Sequence, residues 1–240
     1  MKKLLIVIID YQSGILLEKC LKSIKNTVLP DGWQKEILVI DNNNRNRGFA
    51  KGANTGIKKA MENSAEAVLL LNPDTVVDKN FLTPLLNNPA DIVGPVIHFK
   101  RAGKDVFDYG GKVDRRWGRT RHIELDNCSI VQLFNLDYVS GCAMLIKKPV
   151  IEKIGLLNER YFLYFEDVDY CLRAKKAGFN VAVEPKALIT HKLKEGREKT
   201  LWQRRQLWKS NVIFVNKWIS WPDKIFAYGY LAVLLMKLLL

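Results

Sequence analysis

Short apolar runs alternate with segments of helical periodicity over the first hundred residues. Leu4 to Ile9 is continuously apolar, which is typical of a strand buried on both faces. Ser13 to Lys25 then carries its apolar residues at helical spacing. The same alternation predicts strands at Glu36–Ile40, Ala67–Leu71 and Ile92–Ile97, and helices at Ala50–Glu62 and Phe81–Leu86. Strand, helix and strand in repetition predict an α/β fold whose mixed sheet is mostly parallel and flanked by helices.

The pattern is less regular beyond residue 100. Lys100 to Asn127 is charged and contains Gly110-Gly111, which predicts a hairpin or flap. Further on, we expect a strand region at Leu133–Ile146, helices at Pro149–Ile154 and Glu166–Ala177, a helix end at Gly178, and short apolar pieces at Val181–Val183 and Ala187–Thr190 around Pro185.

The C-terminal part of the chain ends in an apolar segment that follows a basic one. Phe226 to Leu240 holds one charge, and its fifteen residues fall short of the ~18 apolar residues of a spanning helix, which favours an interfacial or docking helix. Lys192 to Lys217 carries eight Lys or Arg against two Glu, a pattern that suits an anionic leaflet. Four tryptophans lie in the last forty residues: Trp202, Trp208, Trp218 and Trp221.

An ordinary helix explains part of this pattern equally well. Its core stripe would be Leu201, Trp208, Val212, Val215 and Ile219, with the cations on its solvated face. Weighing both, we expect residues 1–195 to form one domain and residues 196–240 to form a helical, membrane-associating segment.

Composition narrows the class of protein. With 48% hydrophobic and 26% charged residues, the chain is globular, which excludes wholesale disorder and collagen-like structure. The net charge of +13 calls for an anionic partner such as nucleic acid, a membrane surface or a phosphorylated ligand. The four cysteines form no CxxC pair and no dense disulfide framework, which favours a reduced, cytosolic interior.

Polar residues follow each of the first three predicted strands. These are Asp10-Tyr11, the run from Asp41 to Asn44, and Asn72-Pro73-Asp74. Ligands of open parallel sheets bind outside the carboxyl ends of the strands, so three such ends could bind a nucleotide and a metal. Asp and Asn are also favoured in ordinary turns, but their recurrence at every strand end favours a ligand site.

Two further patterns have both a functional and a structural explanation. Gly48, Gly52 and Gly56 recur every fourth residue, which on a helix gives a smooth face for close approach to a ligand or to the sheet. Glu166 and Asp167 open a helix in which Asp169 and Arg173 share a face with Glu166 while Asp167 points elsewhere, so that one carboxylate could be left free for proton transfer while the others bind or pair. Acidic residues in a first turn also simply complement the helix dipole. His191 is a candidate metal ligand, although a lone histidine often has a structural role.

Read together, these segments resemble the family 2 glycosyltransferases with the GT-A fold, particularly their rhamnosyltransferase-like branch. Ile37–Asn42 with Gly48–Gly56 is similar to the family's nucleotide-binding run, and Leu69–Asp74 to its metal-binding D-x-D, here N-P-D. Val139–Ile146 with Ile154–Asp169 is similar to its acceptor-site and catalytic-base block. The resemblance covers about residues 3 to 217. Two positions depart from the family pattern, Gln12 after Tyr11 and Asn72 in place of the first Asp.

The resemblance implies a single nucleotide-binding, Rossmann-like domain and an inverting, metal-dependent glycosyltransferase of the hexosyltransferase type. Such an enzyme moves a sugar from a nucleotide-diphosphate sugar to a hydroxyl of a glycan or lipid-linked acceptor, as in polysaccharide biosynthesis of the cell envelope. The implied roles are: Asp167 as general base; Glu166 and Gly141 at the acceptor; Tyr11, Asp41, Asn42, Gly48, Asn54 and Asn72 at the donor nucleotide; and Asp74 and His191 as ligands of Mg²⁺ or Mn²⁺. We expect a cytoplasmic protein bound peripherally at the inner face of the membrane.

Three other functions compete with this one. A sugar nucleotidyltransferase would need an N-terminal Gly-rich triphosphate loop, which the sequence does not contain. A basic nucleic-acid-binding module would account for the charge, but no recognised nucleic-acid motif is present, so we expect no nucleic-acid partner. A catalytically silent membrane scaffold is disfavoured because Asp74, Asp167 and His191 are all present.

Overall fold

The first three strands of the chain pair in parallel, as the alternation of strands and helices predicts. In the computed structural model, which describes residues 1–127, 136–192 and 199–239, β1 (Lys2–Asp10) lies between β2 (Trp33–Asp41) and β3 (Ala67–Leu71) and pairs with both in parallel. Helices α1 (Ile15–Lys25) and α2 (Phe49–Glu62) form the crossovers. Because the three strands run in one direction, their carboxyl ends meet at one edge of the sheet.

The remaining strands make the sheet mixed. They and their helices are β4 (Thr75–Val77), α3 (Leu82–Asn87), β5 (Ile92–Arg101), β6 (Lys104–Asp114), β7 (Arg119–Leu125), β8 (Ala143–Lys147), α4 (Lys148–Ile154), α5 (Glu166–Lys176), β9 (Val181–His191), α6 (Leu201–Trp218) and α7 (Asp223–Leu239). The sheet order is β2-β1-β3-β8-β5-β6-β7, and β9 pairs with both β5 and β4.

Three expectations need refinement. Parallel pairing holds for β1 to β3 and for β5 with β9, whereas β8 inserts antiparallel between β3 and β5 because the chain reaches it from the opposite end of the sheet. Within the strand region expected at 133–146, the structure assigns a strand only from Ala143, and residues 133–135 lie outside the described ranges. The two apolar pieces around Pro185 are one strand, β9, whose pairing with β5 skips from Glu184 to Leu188.

The glycines of α2 serve close packing of the helix on the sheet. A Cβ on Gly52 would lie 2.8 Å from Cγ2 of Ile9, and one on Gly56 would collide with Cγ1 of Val7. Both partners project from the same face of β1, so any larger residue would push α2 off the sheet. The structural explanation of this spacing is therefore confirmed at Gly52 and Gly56.

The two C-terminal helices pack against the same core as the sheet. Phe214 and Val215 of α6 and Ala227 of α7 are fully buried, and they belong to the cluster that contains α2 and α5. The indole N–H of Trp208 donates to the carbonyl of Leu231 at 2.9 Å, which fixes α7 on α6. Within residues 1–127, 136–192 and 199–239, no helix has both the length and the apolarity needed to cross a bilayer.

Candidate active site

The ends of β1 and β2 form a polar edge. Asp10 and Asp41 lie opposite each other in the parallel register. Asn43 joins them, because its Nδ2 donates to Oδ2 of Asp10 at 2.7 Å and its backbone N–H donates to Oδ1 of Asp41 at 2.8 Å. Tyr11 beside them is 44% exposed. This edge keeps Tyr11 and Asp41 accessible, as a donor-binding role requires.

Asn42 organises its own loop. Its side chain is 3% exposed, and its Oδ1 accepts the backbone N–H of Arg47 at 3.0 Å. Its Nδ2 donates to Oδ1 of Asn46 at 3.3 Å. These bonds shape the turn that leads into α2, so Asn42 has a structural role in this loop, and its expected contact with the donor stays a prediction.

Asn54 and Gly48 likewise face the protein rather than a ligand. The Asn54 amide is 2% exposed and donates to the Leu157 carbonyl and to Oε1 of Glu159, both at 3.0 Å, while its Oδ1 accepts the Leu157 N–H at 2.9 Å. Gly48 has a φ of 85°, and a Cβ there would lie 2.5 Å from the carbonyl oxygen of Phe162. Both residues hold the loop before α5 against α2, and their expected contact with the donor stays a prediction.

Asp74 and His191 are brought together by strand pairing. β4 and β9 pair antiparallel with Thr75 opposite His191, and the backbone N–H of Lys192 donates to the Asp74 carbonyl at 2.8 Å. Oδ1 of Asp74 and Nε2 of His191 are therefore 3.1 Å apart, yet both atoms are buried without hydrogen-bond geometry to any partner.

These two side chains fit a divalent cation. Oδ1 of Asp74 and Nε2 of His191 pair with each other, and a carboxylate oxygen and an imidazole nitrogen this close together are suitable protein ligands for a cation placed between them. Among the described residues, no group of three or more His, Cys, Asp or Glu side chains forms a complete metal site. The remaining ligands would therefore come from phosphate oxygens and water, which is common for Mg²⁺.

A cleft of about 840 Å³ lies beside this pair. The residues expected from sequence that line it are Asn72, Gly141, Glu166, Asp167 and His191. Tyr11 and Asp41 do not line this cleft; they lie at the neighbouring edge of the sheet. The cleft therefore joins the candidate metal-binding histidine to the candidate base.

Asp167 is fixed at the first turn of α5. Its Oδ2 accepts the backbone N–H of Gly141 at 2.7 Å, and its Oδ1 accepts that of Val168 at 2.8 Å. Burial raises the pKa of Asp167, and the two backbone donors partly oppose this rise. Burial, followed by the neighbouring Asp167 charge, raises the pKa of Glu166 further. The pair thus offers one carboxylate suited to accept a proton beside one that tends to stay protonated.

The backbone before α5 is strained. Tyr164 and Phe165 both adopt left-handed conformations, with φ of 71° and 67°. For residues other than glycine each such conformation costs about 1–3 kcal/mol and tends to occur at functional sites. The strain turns the chain sharply, so that α5 begins with Glu166 and Asp167 at the wall of the cleft.

Asp169 holds α5 in place through an ion pair with Arg173, which lies one helical turn later on the same face. This fully buried carboxylate lies 3.1 Å from Nε of Arg173 and 2.6 Å from Nζ of Lys217. The guanidinium of Arg173 also donates to the carbonyls of Ile154 and Leu156, both at 2.7 Å. These contacts orient the helix that carries Asp167.

Sequence reasoning missed several cleft residues. His122 of β7 lines the cleft, and its Nδ1 lies 2.8 Å from Oδ2 of the buried Asp108 on β6. That hydrogen bond holds the pKa of His122 above its usual value. Arg119 and Arg121 of the same strand and Asn211 of α6 also line the cleft. The sequence showed that the segment from Lys100 to Asn127 is charged, but not which of its strands would face the cleft.

Comparison with known proteins agrees with the geometry. Residues 18–209 match the model of a family described as glycosyltransferase like family 2. A low-salt glycan biosynthesis hexosyltransferase of Haloferax volcanii is 26% identical over 203 residues, covering 73% of this chain and 62% of that protein. A dTDP-rhamnosyl transferase of Shigella flexneri is 26% identical over 152 residues, covering 61% of this chain and 49% of that protein. The chain thus spans half to two thirds of these relatives.

Solved structures share the fold at low sequence identity. GalNAc-T7, crystallised with UDP, GalNAc and Mn²⁺, superposes with a TM-score of 0.66 at 14% identity, over 95% of this chain and 50% of that one. A mannosyltransferase of Pyrobaculum calidifontis, in complex with GDP-Man and Mn²⁺, gives 0.59 at 13% identity, over 98% and 74%. These likenesses concern the architecture alone.

Proposed function

Because this chain belongs to glycosyltransferase family 2, is rhamnosyltransferase-like and has the GT-A fold, we propose that it is an inverting, metal-dependent hexosyltransferase. It would move a sugar from a nucleotide-diphosphate sugar to a hydroxyl of a glycan or lipid-linked acceptor. The observation that carries the proposal is that one cleft brings the anchored carboxylate of Asp167 together with His191, the partner of Asp74.

The donor nucleotide would bind at the edge formed by β1 and β2. Tyr11 and Asp41 are exposed there, and a tyrosine ring with an adjacent carboxylate suits a base and a ribose hydroxyl. Asn72 lines the cleft next to this edge and would contact the donor where its diphosphate enters. The support for this placement is the carboxyl-edge rule for open α/β sheets.

Asp74 and His191 would hold Mg²⁺ or Mn²⁺ against the diphosphate. When bound, the cation would stabilise negative charge on the departing nucleoside diphosphate. The chain's own contribution is to preset the carboxylate and imidazole through the β4–β9 pairing, so that the two ligands need no rearrangement. The structures of GalNAc-T7 and of the Pyrobaculum calidifontis mannosyltransferase contain Mn²⁺, which supports a divalent cation in this proposal.

Asp167 would act as the general base. An acceptor hydroxyl gives its proton to the Asp167 carboxylate while its oxygen forms a bond to the anomeric carbon. The bond from that carbon to the diphosphate oxygen breaks, and the nucleoside diphosphate leaves with the electron pair. A single displacement inverts the anomeric configuration. The backbone N–H groups of Gly141 and Val168 hold the carboxylate in place, and it can still accept a proton.

The C-terminal helices support attachment to a membrane surface. Trp221 is 72% exposed, and Ile225, Phe226, Val233 and Met236 of α7 also expose large apolar side chains. Arg116 lies 4.5 Å above the ring of Phe226, so cations flank this apolar surface. An apolar face with a basic border suits an anionic leaflet. We therefore keep 196–240 as the membrane-associating segment of a cytoplasmic enzyme bound to the inner face of the membrane.

Vesicle flotation tests this attachment. The protein should float with vesicles of phosphatidylcholine and phosphatidylglycerol and should not float with phosphatidylcholine alone. Ile225→Glu with Met236→Glu should abolish flotation, because two charges would enter the apolar surface. If the double variant floats like the unmodified protein, the apolar face of α7 is not the contact.

Donor binding and hydrolysis test the enzymatic proposal. Thermal unfolding is measured with UDP, dTDP and GDP sugars, each with Mn²⁺, with Mg²⁺ and with EDTA. One nucleotide should raise the melting temperature only with metal, and slow release of free sugar should accompany it. If no nucleotide sugar stabilises the protein with either metal, the proposal is wrong.

A further inference from the structure

Three buried oxygen atoms in the cleft have no hydrogen-bond partner. They are the hydroxyl of Tyr138, Oε2 of Glu166 and Oδ1 of Asn211. The three residues are 1%, 6% and 3% exposed, and all three line the cleft. They come from the segment before β8, from α5 and from α6. Buried polar atoms are nearly always paired in folded proteins, so three unpaired atoms in one cleft indicate a binding site.

A neighbouring residue shows what the fold does when no ligand is involved. Ser210 precedes Asn211 on α6 and is equally buried, at 2% exposure. Its hydroxyl donates to the carbonyl of Leu163 at 2.8 Å, which holds α6 against the strained loop before α5. The protein therefore satisfies the hydroxyl of Ser210, which it uses for packing, and leaves Oδ1 of Asn211, a residue of the cleft wall, without a hydrogen bond.

The chemistry of the three groups selects the ligand. An amide oxygen accepts a hydrogen bond, and a phenol or a carboxyl can do the same. Sugar hydroxyls bring O–H donors to such groups. The cleft is lined by charges of both signs, since Asp167 is joined there by Arg119, Arg121 and Lys199, so the preference for a sugar rests on the three oxygen atoms and not on net charge. Two nitrogen atoms of cleft residues also lack a hydrogen bond and are not part of this group: Nε2 of His191 lies beside Asp74, and Nε of Arg119 lies 3.7 Å from Oδ2 of Asp114.

Apolar side chains complete the surroundings. Leu207 of α6 and Leu234 of α7 line the cleft on the side of Asn211. Saccharide rings present polar edges and C–H faces, so a wall of this kind suits a neutral sugar unit.

We propose that Asn211, together with Tyr138 and Glu166, forms a saccharide subsite that hydrogen-bonds the hydroxyls flanking the one that reacts. It thereby selects a sugar hydroxyl, and not a phosphate, as the acceptor group. The inference rests on the proposed function and deepens its acceptor side. Asn211 is then a specificity-determining residue supplied by α6.

Acceptor probes distinguish the two chemistries. The probes are octyl glycosides of glucose, galactose, mannose, rhamnose and N-acetylglucosamine, with farnesyl phosphate as the anionic arm. At least one glycoside should receive sugar or change the rate of donor hydrolysis, while farnesyl phosphate should not be glycosylated. Glycosylation of farnesyl phosphate would overturn the inference, and so would the absence of any effect of all the glycosides.

Variants of α6 provide the matched test. Asn211→Leu should raise the acceptor KM about tenfold, the equivalent of one lost hydrogen bond. Its melting temperature should stay equal or rise, because an unpaired buried polar group is removed. Asn216→Leu, on the same helix outside the cleft, should leave acceptor KM unchanged. Ser210→Ala should lower the melting temperature.

Two results would separate the inference from the proposed function. If Asn211→Leu loses melting temperature as Ser210→Ala does and keeps the acceptor KM of the unmodified protein, Asn211 is structural and the inference fails, whereas intact donor hydrolysis leaves the proposed function standing. If the unmodified protein neither binds nor hydrolyses any nucleotide sugar, the proposed function fails first.

Discussion

The indole N–H of Trp218 donates a hydrogen bond to Oδ1 of Asp169 at 2.8 Å, linking the end of α6 to the buried centre of α5. Asp169 in turn holds Arg173, which binds the carbonyls before the strained turn. Helix α6 thus supports the segment that carries Asp167, in addition to any contact of the C-terminal helices with a membrane. A change at the end of α6 is therefore expected to reach α5.

Trp218→Phe should destabilise the protein by about 1–3 kcal/mol, because a buried carboxylate oxygen loses a hydrogen-bond donor. Urea unfolding followed by tryptophan-independent circular dichroism measures the change. Trp221→Phe is the control, since Trp221 is 72% exposed and its loss should cost less than about 0.5 kcal/mol. Equal stability of the two variants would show that the Trp218 bond contributes nothing.

Asn54 and Asp41 should separate into structural and donor roles. Asn54→Ala removes three buried hydrogen bonds and should lower the unfolding free energy by about 2–4 kcal/mol, with little change in nucleotide affinity of the folded fraction. Asp41→Ala, at an exposed strand end, should leave stability within about 0.5 kcal/mol and weaken nucleotide binding. Denaturation and nucleotide titration check both variants. If Asn54→Ala weakened nucleotide binding and left the unfolding free energy unchanged, Asn54 would belong to the donor site.

Metal-dependent donor binding should require Asp74. Asp74→Asn keeps the shape of the side chain but removes its charge, so the thermal stabilisation by nucleotide sugar and Mn²⁺ should fall to the level seen with EDTA. Asp78→Asn, at an exposed position just after β4, should retain the full shift. A normal metal-dependent shift in Asp74→Asn would place the cation elsewhere.

His122 should tune the base through its charge. Burial raises the pKa of Asp167, while the nearby imidazolium of His122 lowers it. Since Asp167 must be deprotonated to accept a proton, activity should rise with pH through its pKa. His122→Gln removes the positive charge, so the acidic limb of kcat/KM should move to higher pH, by up to about one unit.

Asp108→Asn provides an independent check of this coupling. Without its carboxylate partner, the pKa of His122 should fall, so less positive charge faces Asp167 and the acidic limb should again move upward. Two variants on different strands are then expected to shift the profile in the same direction. If the acidic limb of kcat/KM does not move in either His122→Gln or Asp108→Asn, His122 does not influence the pKa of Asp167.

The sequence predicts the first three strands and their crossovers because continuous apolar runs and helical spacing are local signals. β3 begins and ends where that pattern does, at Ala67 and Leu71. β4 was not anticipated, since three residues are too few to show periodicity and the strand exists only through its pairing with β9. Pro185 divided the apolar pattern of β9 into two pieces, whereas the structure bridges it with an irregular register.

The same limit applies to the site. Asp74 and Asp167 were identified within segments that resemble family motifs, and His191 as a lone histidine after an apolar run; the structure places Asp74 beside His191. Asn211 escaped notice because the expected stripe of α6 gave it no role, yet the helix buries it at the cleft. Whether a polar residue of α6 faces the cleft depends on which side of α6 packs against α5. Tertiary contacts such as the hydrogen bond from Trp218 to Asp169 determine that side, and the sequence pattern does not show them.

The most direct test of the account is turnover of the metal-bound enzyme after Asp167→Asn. Asparagine keeps the side-chain shape but cannot serve as the base, so transfer by the folded variant should fall by about 10²–10⁴-fold, while its nucleotide-sugar binding stays close to that of the unmodified protein. Asp126→Asn, at an exposed position, should transfer normally. A folded Asp167→Asn variant that transfers sugar at the unmodified rate would contradict the mechanism.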